Sequence, residues 1–185
     1  MFRVAYIDEG TFEERVLKII SGVILLGKSK DKTIIKGSIE VYVGANAALK
    51  NLTISNDGSS PAIYCNNSNP LINKVTINGT STGIRIYASK PHILEVTVTN
   101  CSTGIAAWND ATLLIESSSI SDCLGQGIYA YGSAKPTIQN TAISGCEASG
   151  VYCSGANAIV ETSTITKCKL NSIFQMVRVL PSGDP

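Results

Sequence analysis

The sequence predicts an all-β solenoid, a chain wound into three parallel sheets with about 22 residues per coil, and three observations predict it. The first is self-similarity at a fixed period. Aliphatic residues recur at Ile54, Ile77, Val98, Ile120, Ile143 and Ile165, at intervals of 23, 21, 22, 23 and 22 residues. The second is that two more columns keep step. Leu49, Ile72, Ile93, Ile115, Ile138 and Val160 repeat the same intervals, and Ile39, Ile63, Ile84, Ile105, Ile128, Val151 and Ile173 follow at 24, 21, 21, 23, 23 and 22. The third is that each unit holds three short runs in which apolar and polar residues alternate, the period of a half-buried strand.

A strand cannot bury its apolar face alone. Stacking one coil on the next pairs every strand with its own copy at ~4.8 Å. Three runs per coil then give three parallel sheets around one core, a right-handed parallel β-helix of six to seven coils and roughly 30–35 Å of rod. One unit shows the runs clearly, over residues 127–131, 136–139 and 141–144, with Gly, Ser, Asn and Pro between them as turns require. The repeats occupy residues 37–175. Residues 1–36 form the N-terminal coil or coils, and residues 176–185 a C-terminal tail.

The corner between the second and third strands holds Asn51, Lys74, Glu95, Ser117, Asn140 and Thr162. Asn there points to a left-handed backbone, which Asn tolerates better than most residues. Just after the third strand, Thr80, Cys101, Cys123, Cys146 and Cys168 form another column, so four of six cysteines are equivalent. Stacked buried thiols are the simplest account, cysteine being among the most buried residue types. Disulfides between adjacent coils fit the distance as well, since Cα atoms ~5 Å apart can be bridged. With one histidine, His92, and no C-x-x-C pair, neither metal nor cofactor is expected.

Composition narrows the partners. Fifteen basic and fourteen acidic residues give a net charge of +1, without the basic stripe that nucleic acid binding needs. Hydrophobic residues at 44% argue against disorder. No run of 18 apolar residues exists to span a membrane as a helix. The first ten residues lack a signal peptide's apolar stretch, and the compartment stays open.

Several strings resemble the parallel β-helix repeat family of the pectate-lyase-like superfamily. They are Ser133-Ala134-Lys135-Pro136-Thr137-Ile138-Gln139-Asn140, Asn69-Pro70-Leu71-Ile72-Asn73, and Thr82-Gly83-Ile84 with its copy Thr103-Gly104-Ile105. Residues 10–16 and 22–27 resemble the opening coil of such proteins, so the likeness covers about residues 8–175. The resemblance implies the right-handed β-helix. It leaves activity open, because the superfamily includes lyases, hydrolases, esterases, epimerases and non-enzymatic binding domains. The amphipathic helix that plugs the N-terminal end of such proteins has no counterpart, and residues 173–180 stay apolar to the last few residues. Solenoids need covered ends, so a longer parent chain or end-to-end self-association is expected.

Alternation assigns the outward faces. On the first strand of each coil one outward column is Glu40, Tyr64, Arg85, Ala106, Tyr129, Tyr152 and Phe174, and the other is Tyr42, Asn66, Tyr87, Trp108, Tyr131 and Ser154. Eight of the eleven aromatics stand on this face. Three readings remain: ring stacking that stabilises neighbouring strands, platforms for sugar rings, which in the resembled superfamily this sheet often serves, and a protein interface. The third strand faces outward with Ser and Thr at ten of twelve positions, from Thr53/Ser55 to Thr164/Thr166. That is either a solvated β-face or a grid resembling ice-binding solenoids.

Catalysis finds little support. Common glycosidases need two carboxylates some 5–10 Å apart, and here Glu40, Asp57, Asp110, Asp122 and Glu147 fall on separate coils or turns. The polygalacturonase, pectin methylesterase and pectate lyase patterns are missing. Arg85, Lys90 and His92, near Glu95, form the best charged group. The expected function is a non-catalytic module binding a polysaccharide through Tyr42, Tyr64, Arg85, Tyr87, Trp108, Tyr129, Tyr131 and Tyr152. The alternatives are a carbohydrate-active enzyme or a degenerate relative, a protein-binding scaffold, and ice binding.

Overall fold

The computed structural model describes residues 2–56, 58–170, 173–174 and 177–180. Among these every regular element is a strand, and every pairing between strands is parallel. The winding matches the period read from the sequence. Ile54, Ile77, Val98, Ile120, Ile143 and Ile165 are consecutive partners in register, and the other two aliphatic columns are likewise.

From Ser38 onward the first sheet runs over seven rungs, from Thr33–Val41 through Ile63–Asn66, Thr82–Tyr87, Thr103–Trp108, Ile128–Tyr131 and Val151–Ser154 to Ile173–Phe174. The N-terminal residues extend all three sheets. Strand Gly10–Ile19 places Leu17 against Ile39 and Phe12 against Ile35, and strand Arg3–Ile7 places Ala5 against Leu25. Here the geometry differs from the later coils. Strands Gly10–Ile19 and Thr33–Val41 each pass from the third sheet into the first without a break, bending at a bulge between Glu14 and Val16. Gly37 makes the bend possible: its φ is +149°, and a Cβ there would stand 1.5 Å from the Glu14 carbonyl oxygen.

The core is a set of stacked aliphatic columns. Ile39, Ile63, Ile84, Ile105, Ile128 and Val151 are all fully buried. Each such side chain contributes about 1.5–3 kcal/mol relative to exposure. The corner between the second and third sheets is left-handed at every predicted position, with φ of 56° at Asn51, 54° at Lys74, 53° at Glu95, 50° at Ser117, 47° at Asn140 and 45° at Thr162. The backbone form is constant while the side chain varies.

The cysteine column points inward. Cys101, Cys123 and Cys146 are fully buried, Cys168 is half-buried, and all four are free thiols. Each Sγ donates to the carbonyl two residues earlier, at 3.4 to 3.7 Å.

Candidate functional site

The outward face of the first sheet is built by the register of its strands. Lys18, Glu40, Tyr64, Arg85, Ala106, Tyr129 and Tyr152 succeed one another along one column. Asn66, Tyr87 and Trp108 lie beside it in the other. Their strand neighbours Ile63, Cys65, Ile84, Ile86, Ile105 and Ala107 are fully buried, which fixes the rings outward.

Five of the expected residues form one connected group. The Arg85 guanidinium carbon lies 5.7 Å from the Trp108 ring centre, within cation–π range. Trp108 meets Tyr129 edge-on, with centroids 6.2 Å apart and planes at 81°. Tyr129 in turn contacts Tyr152 at 5.6 Å and Tyr131 at 6.5 Å. These separations are those of interacting aromatic pairs, each worth about 0.5–1.5 kcal/mol beyond burial. Ala106 sits between Arg85 and Tyr129 and is only 2% exposed although it faces outward. The larger side chains around it close over its methyl group. Tyr131 keeps 51% of its surface, and the nearby Tyr87 39%.

Tyr87 is held by a residue that spacing did not single out. The Asn109 side-chain amide donates to the Tyr87 hydroxyl from the turn one rung on. Its sequence signal is faint: an Asn directly after a strand, in a left-handed turn with φ of 48°. Tyr64 is the register partner of Arg85 at the N-terminal edge of the group. Tyr42 stands apart, just past strand Thr33–Val41 and three rungs from Trp108, where Lys18 lies 5.6 Å from its ring centre. Phe174 pairs in register with Tyr152, and its side chain lies outside the described residues.

The charged group read from the sequence is arranged differently. His92 Nε2 is 3.0 Å from Glu116 Oε2 on the following coil, on the second sheet, and both side chains are more than a third exposed. Glu95 instead pairs with Lys74 at 3.7 Å. Register explains this: His92 is the lateral partner of Leu114, two residues before Glu116, whereas Glu95 is itself the corner residue. Among the acids considered for catalysis, Glu147 pairs with Lys169, Asp110 lies in the turn after Trp108, and Asp57 lies outside the described residues. Among the described residues no cluster of three His, Cys, Asp or Glu could hold a metal ion.

Two open grooves lie elsewhere. One, about 610 Å³, is lined by Glu13, Glu14, Arg15 and Lys36 beside the Gly37 bend. The other, about 600 Å³, follows the left-handed corner past Lys74, Glu95, Ser117 and Asn140. The first follows from two strands turning a corner without a loop, and the second from the corner itself. Neither touches the aromatic group.

The family model for a right-handed beta helix region matches residues 37–178. No curated protein matches the chain. Among solved structures, the A-module of mannuronan C-5 epimerase AlgE4 from Azotobacter vinelandii is similar at 12% identity and a TM-score of 0.48, over 100% of this chain and 91% of that one. The AlgE6 A-module from the same organism gives 12% and 0.39 over the same shares. The catalytic unit of an alpha-1,3-glucanase from Streptomyces thermodiastaticus gives 13% and 0.27, over 97% of this chain and 62% of that one. At these identities and scores the likenesses carry no argument about chemistry.

Proposed function

The chain belongs to the right-handed β-helix family, and we propose that it acts there as a non-catalytic module that binds an extended polysaccharide along the aromatic face of its first sheet. One observation carries this reading: Arg85, Trp108, Tyr129, Tyr131 and Tyr152 touch in series on adjacent rungs while Tyr87 and Tyr131 remain substantially exposed. Tyrosine and tryptophan present an apolar ring with a polar tip, which suits a sugar's C–H face and its hydroxyls. The platforms repeat once per rung, so a polymer lying along the rod meets several of them. The Arg85 guanidinium, already placed against Trp108, has donors to offer a hydroxyl or carboxylate of the bound chain.

A glycan array tests the proposal. The intact chain is expected to retain at least one extended polysaccharide, and Trp108→Ala is expected to bind that polymer about thirtyfold more weakly, the loss of a roughly 2 kcal/mol anchor. Absence of binding, or an unchanged affinity in the variant, overturns the reading. Capture of a protein by the same face would replace it with the scaffold alternative.

A further inference from the structure

We propose that the thiol column at the third-sheet corner is a site of reversible oxidation, in which Cys146 and Cys168 close a disulfide between adjacent rungs when the chain meets a small-molecule disulfide. The register is the first support. Ser121, Ser144 and Thr166 are lateral partners, and Cys123, Cys146 and Cys168 each follow two residues on. The turns stay in step beyond the strands: Glu147 N donates to the Cys123 carbonyl at 2.8 Å, and Lys169 N to the Cys146 carbonyl at 2.9 Å. Every thiol points the same way, donating to the carbonyl two residues back.

Access selects the pair. Cys101, Cys123 and Cys146 have no exposed surface, whereas Cys168 is half-buried. Cys65 and Cys153 belong to a different column and are separated by Ile86, Ala107 and Ala130, so they serve as internal controls. Burial pushes the Cys168 thiol up, which makes its first reaction slow. The neighbouring Cys123 thiol holds the Cys146 thiol down, which suits it to the second step.

The chemistry is thiol–disulfide exchange. The Cys168 thiolate attacks one sulfur of oxidised glutathione, forming a protein–glutathione bond and releasing one glutathione thiol. The Cys146 thiolate then attacks the Cys168 sulfur and expels the second glutathione thiol. Two protein thiols are oxidised and one small disulfide is reduced to two thiols. Geometry makes the product labile. A rung spacing of ~4.8 Å lies within the Cα range of disulfides but beyond their usual Cβ separation of about 3.5–4.5 Å. The turn must close by about 0.3 to 1.3 Å, and a strained bridge is the more easily reduced.

The test treats the intact native chain with oxidised glutathione and follows it by mass spectrometry with peptide mapping. The expected product has lost two hydrogens, maps to Cys146–Cys168, leaves Cys65 and Cys153 as thiols, and reverts in dithiothreitol. Cys168→Ser is expected to slow thiol loss in the native chain at least tenfold, and Cys146→Ser to trap glutathione on Cys168. A bridge mapped to other cysteines overturns the proposal. So does a glutathione adduct that persists on Cys168 in the unaltered chain, or a native chain whose thiols stay intact while the denatured chain reacts.

Discussion

The outer faces of the first and third sheets stand on the same rungs at the same spacing, and they are decorated in opposite ways. The first carries rings in contact: Trp108 against Tyr129, Tyr129 against Tyr152, and Arg85 over Trp108. The third carries short hydroxyl side chains in register, with Ser121 donating to Thr99 at 3.3 Å and Thr53 to the Lys30 carbonyl at 2.7 Å. Behind both faces the inward residues are fully buried aliphatics, Ile105 and Ile128 in one case, Ile54 and Ile77 in the other. The winding constrains inward positions tightly and leaves outward ones free. A concentration of large rings on one outward face is therefore not something the fold itself requires.

The largest effect should come from breaking what the two faces share. Ile105→Ala removes a fully buried side chain from the middle of its column and should destabilise the chain by about 2–5 kcal/mol in a denaturant titration. A loss below about 1 kcal/mol would mean that the rungs are not close-packed there.

The alkaline limb tests burial behind the aromatic face. Cys65, directly inside Tyr64, has no exposed surface, and burial pushes its thiol from 9.0 up to about 12. The unfolded thiol loses its proton near pH 9, while the folded one keeps it to about pH 12. Between those values the unfolded state binds fewer protons, so stability falls as pH rises, by up to about 4 kcal/mol in all from this group. Below pH 9 the group adds no pH dependence. Cys65→Ala should flatten this limb, and an unchanged limb would contradict the assignment.

A smaller effect is expected where the backbone is strained. Thr162 is β-branched and exposed, yet holds a φ of 45° at the left-handed corner. Thr162→Asn should stabilise the chain by about 1 kcal/mol, read as a rise in Tm. No rise would mean that Thr162 makes compensating interactions.

Most of the frame could be read from the sequence because one period controls it. Six corner residues, only two of them Asn, share one backbone form, and the repeat placed all six correctly. The Thr-Gly-Ile strings also have a steric reason: a Cβ at Gly104 would stand 2.4 Å from the Gly127 carbonyl oxygen and 2.7 Å from Ile120 Cγ2. The pattern was harder to follow at the N-terminal end, where Phe12 and Ala5 fall in register with columns otherwise held by branched aliphatics, and where two strands turn a corner without a loop. On the candidate face, alternation placed the rings outward but not their contacts. The partnership of Asn109 with Tyr87 and the covering of Ala106 depend on side-chain rotamers, which spacing does not encode.

Trp108 is the chain's single tryptophan and lies within the aromatic group, so its emission reports the face directly. The most direct measurement titrates the polysaccharide retained on the array into the intact chain, Tyr129→Ala and Thr97→Val, following that emission. The account predicts a saturable change that weakens at least tenfold in Tyr129→Ala and is unaltered in Thr97→Val, a third-sheet substitution. Equal binding by Tyr129→Ala, or a loss confined to Thr97→Val, would contradict it.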